Sequence, residues 1–292
     1  MNRKEFGALI AALRKDHRDL DDSLFTQARL AQLAGLSEMT IGNIERGTKE
    51  KFEADIIIKL ANALKLTSGE RIQFLLAASG VKTEDLLGAP DLAQKALHVL
   101  VPILEQLHTP AFISDSFGDL IYVNPVVLSV YNFDLQLFSS PEEPPATRFN
   151  VMRVLFAPEF ESQRKMMGNT WPPFALQTIL LFRVTSFRYK GHPYFRQNLL
   201  PELNKYPLFR RYWQTPRTDE ELLTNLNFIT LNHPAWGLLK FVSDPMQTIT
   251  SFGDLNLYSF QPLGLETAKT CIKIAEQAGL GARSLAPWPK IL

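Results

Sequence analysis

The sequence predicts two joined folds: a small all-α domain carrying a helix-turn-helix, then a larger α+β domain built on an antiparallel sheet. Three observations carry this expectation. The chain has 292 residues, more than one compact core usually needs. Two short helical patterns flank a glycine turn at Gly35. Beyond Thr109, β-prone runs come as a group of two and a group of three, separated by a long, mostly helical stretch. The boundaries that follow are 1–84 for the helical domain, 85–108 for a connecting helix and 109–292 for the α+β domain.

Composition bounds the function. Hydrophobic residues make up 46% and charged residues 21%, which fits a folded chain without a long low-complexity tract. The formal net charge is only +1, so nucleic-acid binding has to be argued from a local motif. Cys271 is the only cysteine, which excludes an internal disulfide framework and a cysteine-rich zinc site and points to a reducing cytoplasm. The apolar run Phe6–Leu13 meets Arg14, Lys15 and Asp16 at once, without a cleavage pattern, and does not read as a signal peptide. Trp171–Phe182 contains Pro172 and Pro173 and is too short to span a bilayer, so no membrane partner is expected. Most of the 20 phenylalanines lie beyond residue 100, which gives the second domain an aromatic interior.

Phe6, Leu9, Ile10 and Leu13 recur at i, i+3, i+4 and i+7, the apolar face of a first helix. Asp16 to Ser23 is an aspartate-rich connection. Thr26 then caps a short helix with Leu30, Ala31 and Ala34 on its packing side, and Gly35 ends it. Ser37 caps a third helix that buries Ile41 and Ile44 and turns Glu38, Met39, Thr40, Asn43 and Arg46 outward. A helix, a glycine turn and a capped second helix can lay that helix in the DNA major groove. A helical bundle used for protein contacts is the bland alternative.

The string TQARLAQLAGLSEMTIGNIERG resembles the helix-turn-helix of the phage-repressor-like, Xre-type family. The resemblance implies a five-helix domain, with Ile56, Leu60 and Leu64 as apolar positions of the fourth helix and Ile72, Leu75 and Leu76 of the fifth. It further implies double-stranded DNA as partner, with Gln27, Ser37, Glu38, Met39, Thr40, Asn43 and Arg46 at the interface. Gln27 would donate to a phosphate and Arg46 would lie near the backbone, while Glu38, Met39 and Asn43 approach base edges. Asn43 can pair bidentately with adenine, Glu38 can accept from cytosine N4, and Met39 can touch a thymine methyl. Glu38, Gly42 and the long first connection depart from the family's commonest pattern.

Thr83–Pro90 reads as a linker. Leu92, Ala96, Val99, Leu100, Ile103, Leu104 and Leu107 then continue at helical spacing to Thr109-Pro110, as a stripe buried on its own domain or as a seam between two chains. A homodimer is expected because one short recognition helix gives little affinity and paired half-sites remedy that.

Ala111–Asp115 and Leu120–Asn124 form a hairpin across Ser-Phe-Gly-Asp, and strands follow around Leu226–Asn232, Gly237–Ser243 and Leu255–Phe260. Two strands, helices and three antiparallel strands describe a sensor of Per-Arnt-Sim type that encloses a small-molecule cavity. The strings TPAFISDSFGDLIYVNP, RFNVMRVLF, ELNKYPLFRRYW and NHPAWGLLKF with GDLNLYSFQP resemble, in order, the ligand-binding domain of MmyB-like bacterial regulators. That resemblance implies a ligand-responsive transcription regulator sensing a small hydrophobic molecule, with a long-chain fatty acid as the family-level candidate. Separately, His17, His98, His108, His192 and His233 show no metal-ligand spacing, so no metal or cofactor is expected, with a haem or flavin sensor as a minor alternative.

From the residues themselves, Phe112, Tyr122, Phe149, Phe156, Trp171, Phe174, Phe209, Trp213 and Trp236 could line a tunnel for an alkyl chain or simply fill a core. Arg148, Asn150 and Arg153 offer polar groups to a carboxylate, or else cap and tie a helix from Asn150 to Phe156. His233 and Asn124, each before a proline, are further ligand candidates, with backbone hydrogen bonding as the alternative. The rival to a sensor is a second domain serving only dimerisation or partner binding. An enzyme is not expected: there is no Gly-x-Ser-x-Gly elbow, Walker phosphate loop or His-Glu-x-x-His pair, and GLGARS near the end reads as a loop.

Overall fold

The computed structural model describes residues 1–17, 25–49, 52–80, 92–138, 144–215, 228–244 and 255–288. The expected connection from Asp16 to Ser23 falls largely outside them, as does the linker Thr83–Pro90. Two compact units result: Met1–Gly88 with Arg183–Leu200, and Ala89–Phe182 with Pro201–Pro216 and Glu220–Leu292. No helix among the described residues is long and apolar enough to cross a membrane.

Among the described residues, the first unit carries α1 (Arg3–Asp16), α2 (Gln27–Ala34), α3 (Glu38–Glu45), α4 (Ala54–Ala63) and α5 (Ser68–Ser79). Their ends are set by the chain itself. Asn2 and Glu5 form a capping box on α1, Thr26 and Ser37 cap α2 and α3, and Gly35 ends α2 in a left-handed conformation that an L side chain disfavours. Phe6, Leu9, Ile10, Leu30, Ile41, Ile44, Leu60 and Phe74 form the core. Gly7 brings α1 onto the end of α3, since a Cβ there would lie 2.5 Å from the carbonyl oxygens of Ile44 and Glu45. On α4, Ile56, Leu60 and Leu64 are buried as expected. On α5 the expected face is corrected: Ile72, Leu75 and Leu76 are exposed, while Glu70, Phe74, Ala77 and Ala78 turn inward. The reason is the charge of Glu70, which sequence periodicity counts as a surface residue and this fold buries with partners.

Those partners come from Arg183–Leu200, a segment that chain order assigns to the 109–292 domain and that packs here as part of the first unit. Phe187 enters the same core and meets Phe74 edge-on at 6.3 Å. Gly191 lies against α1, where a Cβ would come 2.8 Å from the Leu9 nitrogen. Arg196 pairs with Asp16 at 3.0 Å. The Glu70 carboxylate, 1% exposed, divides its work. Oε2 accepts from the Thr67 N–H at 3.1 Å and closes the capping box of α5. Oε1 accepts from Lys190 Nζ at 3.1 Å and Arg183 Nε at 3.2 Å.

In the second unit, α6 (Leu92–Gln106) precedes β1 (Ala111–Asp115) and β2 (Leu120–Val123). Then come α7 (Pro125–Val130), α8 (Val151–Phe156), α9 (Glu161–Met167), α10 (Trp171–Thr185), α11 (Leu200–Leu203) and α12 (Pro207–Gln214). The last three residues of α10, Arg183, Val184 and Thr185, belong to the first unit and follow Phe182 without a break in the helix. β3 (Phe228–His233), β4 (Gly237–Asp244), β5 (Leu255–Pro262), α13 (Leu265–Ala278) and β6 (Arg283–Ser284) follow among the described residues. The sheet is antiparallel in the order β3-β4-β5-β1-β2-β6. GLGARS is therefore more than a loop, because Arg283 and Ser284 pair with Val123 and Tyr122 as a short edge strand.

Alternation along the strands gives the sheet two apolar faces. Ala111, Ile113, Leu255 and Leu257 meet Leu100 and Leu104 of α6. Phe112, Ile229, Leu231, Leu239, Phe241 and Phe260 face the helices that follow β2 together with α13. On α6 the buried positions include Leu100 and Leu104, so the domain-core reading of its stripe holds for them, while Val99 and Ile103 of the same stripe are exposed.

Burial alone would raise the Glu70 carboxyl, but the Lys190 ammonium, the Arg183 guanidinium and the Thr67 N–H outweigh it and hold the pKa at about 2, against 4.5 unperturbed. A carboxyl depressed on folding stabilises above its unfolded pKa and loses that contribution as pH falls through its folded one. Roughly 3 kcal/mol of stability is therefore expected to disappear between about pH 4.5 and about pH 2. Urea unfolding followed by far-ultraviolet circular dichroism checks this. Glu70→Gln should show a shallower loss over that range and lower stability at neutral pH, where it leaves Lys190 buried without its carboxylate.

Candidate functional site

The first candidate site is the outward face of α3. Ser37 Oγ accepts from the Thr40 N–H at 3.0 Å and lies 2.8 Å from Thr40 Oγ1, so both hydroxyls fix the start of α3. Glu38, Met39 and Arg46 are exposed, Met39 at 71%. Asn43 is half-buried, and its Oδ1 accepts from Arg46 Nη2 at 2.8 Å. Together these side chains form one continuous polar and thioether surface on a helix otherwise anchored by Ile41 and Ile44.

Behind this face sits a charged clamp that the sequence motif does not reveal. Arg14 grips the Glu45 carboxylate with Nε at 2.7 Å and Nη2 at 3.0 Å, the paired geometry that suits a guanidinium fork. Gln27 Nε2 donates to Glu45 Oε2 at 2.7 Å. Gln27, expected to meet a phosphate, is thus held by the last residue of α3 and ties α2 to it. An amide nitrogen carries two N–H groups, so this bond leaves the expected donation geometrically open. The clamp joins α1, α2 and α3 and fixes the angle at which α3 is presented.

The second candidate site is the aromatic side of the sheet. Two ring clusters occupy it. Phe112 stacks on Tyr258 at 5.0 Å, and Tyr131, Phe133, Phe138, Phe149, Phe160 and Phe260 interlock at centroid distances of 5.6–6.1 Å. Phe156 sits among Trp171, Phe209 and Tyr212, and Trp213 stacks on Phe209 at 5.6 Å. Phe174 lies 6.3 Å from Phe260, and Trp236 packs at the edge of the first cluster. Tyr122 is corrected: it packs with the α6 side of the sheet. Its strand carries it to the opposite face from Phe112.

The polar candidates are committed to the protein. Asn124 Oδ1 accepts from Ala111 and Val127 N–H groups, and Nδ2 donates to the carbonyls of Leu107 and Thr109, all at 2.8–3.1 Å. It organises the turn into α7. Asn150 caps α8 and donates to Phe117 O and Asp119 Oδ1 at 2.8 and 2.9 Å. Arg153, 2% exposed, pairs with Glu159 at 2.8 Å, donates to the Arg148 carbonyl at 2.8 Å and lies over the Phe160 ring. His233 Nδ1 accepts from the Ala235 and Trp236 N–H groups, which places the ring proton on Nε2, 3.1 Å from the Ser129 carbonyl. These bonds favour the capping and tying roles for Asn124, Asn150, Arg153 and His233.

Two aromatic side chains behave differently. The Tyr131 hydroxyl, in the first ring cluster, and Trp171 Nε1, in the second, are buried and have no hydrogen-bond partner among the described residues. Burial pushes the Tyr131 phenol upward, so its O–H stays protonated and able to donate. Buried donors in folded proteins are rarely left unpaired. Trp171 was legible as an aromatic; no spacing or motif marks Tyr131.

Asn43→Ala is expected to weaken binding to a selected duplex by about 10- to 100-fold, the scale of one bidentate base contact. Thermal melting should stay within 2–3 °C of wild type by order of magnitude, because the side chain's recorded bond is to exposed Arg46. Titration by fluorescence anisotropy reads the first quantity and calorimetry the second.

Comparison with known proteins agrees with this geometry. The family model for helix-turn-helix matches residues 22–71. The family model for the MmyB-like transcription regulator ligand binding domain matches residues 98–271, more than half of the chain. No curated protein matches the chain. With a DNA-reading motif and that ligand binding domain in one polypeptide, the chain belongs to the MmyB-like transcription regulators.

Proposed function

We propose that this ligand-responsive DNA-binding regulator senses a long-chain fatty acid inside the aromatic side of its second unit, and acts on double-stranded DNA as a homodimer. The observation that carries the ligand reading is the Tyr131 hydroxyl, a buried donor with no partner among the described residues, beside Phe133 and Phe260. Stacked rings supply an apolar bed for an alkyl chain, and an orphaned donor supplies a place for its polar end. A carboxylate accepts only, which matches a phenol O–H and an indole N–H. Arg148 remains a headgroup candidate through its position beside Arg153, whereas Arg153 would have to leave Glu159 to serve.

For DNA, the reading assigns base-edge contacts to Glu38, Met39 and Asn43, backbone contacts to Gln27 and Arg46, and α3 positioning to Ser37 and Thr40. The homodimer is supported by the exposed Ile72, Leu75 and Leu76 on one face of α5, spaced i, i+3 and i+4. A two-fold pairing there would cover them and set the distance between two recognition helices.

Tyr131→Phe is the sharpest test. It removes the unpartnered hydroxyl while keeping the ring, so the lipid-free protein should melt at or slightly above the wild-type temperature. Palmitate affinity measured by isothermal titration calorimetry should fall about tenfold, the cost of one charge-assisted hydrogen bond. Undiminished affinity would remove Tyr131 from the site. Solvent extraction and mass spectrometry of protein purified from cells test the ligand class: recovery of fatty acid supports it. No lipid, together with no melting shift in palmitate, would leave the second unit as a dimerisation or partner-binding module.

A further inference from the structure

Residues 98–271 belong to the ligand binding domain family, yet Arg183–Leu200 within that range is a structural part of the DNA-reading unit. Its attachment is dense and specific. Phe187 is buried in the core with Phe6 and Phe74. Val184 fills the space above Gly69, where a Cβ would come 2.9 Å from its methyl carbon. Lys190, itself buried, donates to the carboxylate of buried Glu70 at 3.1 Å, and Arg183 reaches the same oxygen at 3.2 Å.

The contacts converge on the helix that carries α3. Gly191 packs its backbone on Ala8 and Leu9, and the preceding residue, Gly7, is the point where α1 touches the Ile44 and Glu45 carbonyls. Arg196 pairs with Asp16 at the end of α1. Arg14, between these points, holds Glu45. A change in the segment's seat therefore acts on α1, and α1 sets the pose of α3.

We propose that Arg183–Leu200 is a control element: DNA reading requires it to be seated on α1 and Glu70, and ligand binding regulates DNA affinity by altering that seating. The second clause rests on the fatty-acid reading above; the first stands on the contacts alone. Control of this kind needs the ligand to favour one of two seatings over the other. The segment suits such a role because partial withdrawal separates Lys190 from Glu70 before water reaches either charge, which makes intermediate positions unfavourable.

The test uses the full chain, a duplex selected by it from a randomised pool, and palmitate as probe. Lys190→Met keeps the bulk of the side chain and removes its charge; duplex affinity is expected to fall at least about tenfold. Adding Glu70→Gln removes the stranded carboxylate and should restore affinity to within about threefold of wild type, a rescue that general damage would not produce. Affinity unchanged in Lys190→Met, or no rescue in the pair, overturns the requirement for seating. Calorimetry first establishes whether palmitate binds. If it binds, wild-type duplex affinity should shift at least about fivefold on saturation and the shift should shrink in Lys190→Met. Binding of palmitate without any shift, or with the same shift in the variant, overturns control through the segment. Failure of palmitate to bind overturns the fatty-acid reading and the control clause built on it, while the two variants still decide the seating requirement.

Discussion

A carboxylate in a protein interior is tolerated only when its charge is met and its lone pairs are used, and Glu70 is the point at which this molecule satisfies both conditions. One oxygen closes the cap of α5 and the other takes Lys190 and Arg183. The same atom group thus sets where α5 begins and where a segment more than a hundred residues later must lie. Phe187 and Gly191 then find their places on Phe74 and α1 as consequences of that anchoring. The DNA-reading unit is accordingly discontinuous in sequence, joining helices from the start of the chain to Arg183–Leu200 from its middle.

The second unit applies a different rule. Its polar side chains near the aromatic interior are used up in local architecture: Asn124 at the turn into α7, Asn150 at the cap of α8, Arg153 on Glu159, and His233 on its own loop. Among the described residues, a phenol and an indole are left buried in the ring clusters without a hydrogen-bond partner. Sparse polar groups in an apolar interior give orientation without strong affinity for polar molecules, which is the chemistry that the proposed lipid ligand would need.

Local rules made much of this legible. Thr26, Gly35 and Ser37 each act through bonds to residues three or four positions away, and the sequence displays them directly. The hairpin from Ala111 and the three later strands follow from alternation, and the sheet joins them with end positions shifted by a residue or two. Long-range pairing was not legible. Glu70 looks like a surface residue until Lys190 is known to meet it, and the apolar face of α5 was assigned to Ile72, Leu75 and Leu76 for that reason. Tyr122 shows the same limit on the sheet, where its pairing with Ile113, a contact between strands, sets it on the face opposite Phe112. Arg148, Asn150 and Arg153 share a short stretch, and sequence could name their two uses without choosing; the bonds to Asp119 and Glu159 favour the structural one for Asn150 and Arg153.

The central claim is that Arg183–Leu200 belongs energetically to the DNA-reading unit. Native-state hydrogen exchange on the full chain across low denaturant concentrations tests it most directly, because residues that open together share one free energy and one denaturant dependence. The account predicts that amides of Phe187 to Leu199 open with those of α1 and α5. Opening of these amides together with β1 and β5, or alone at much lower free energy, would contradict it.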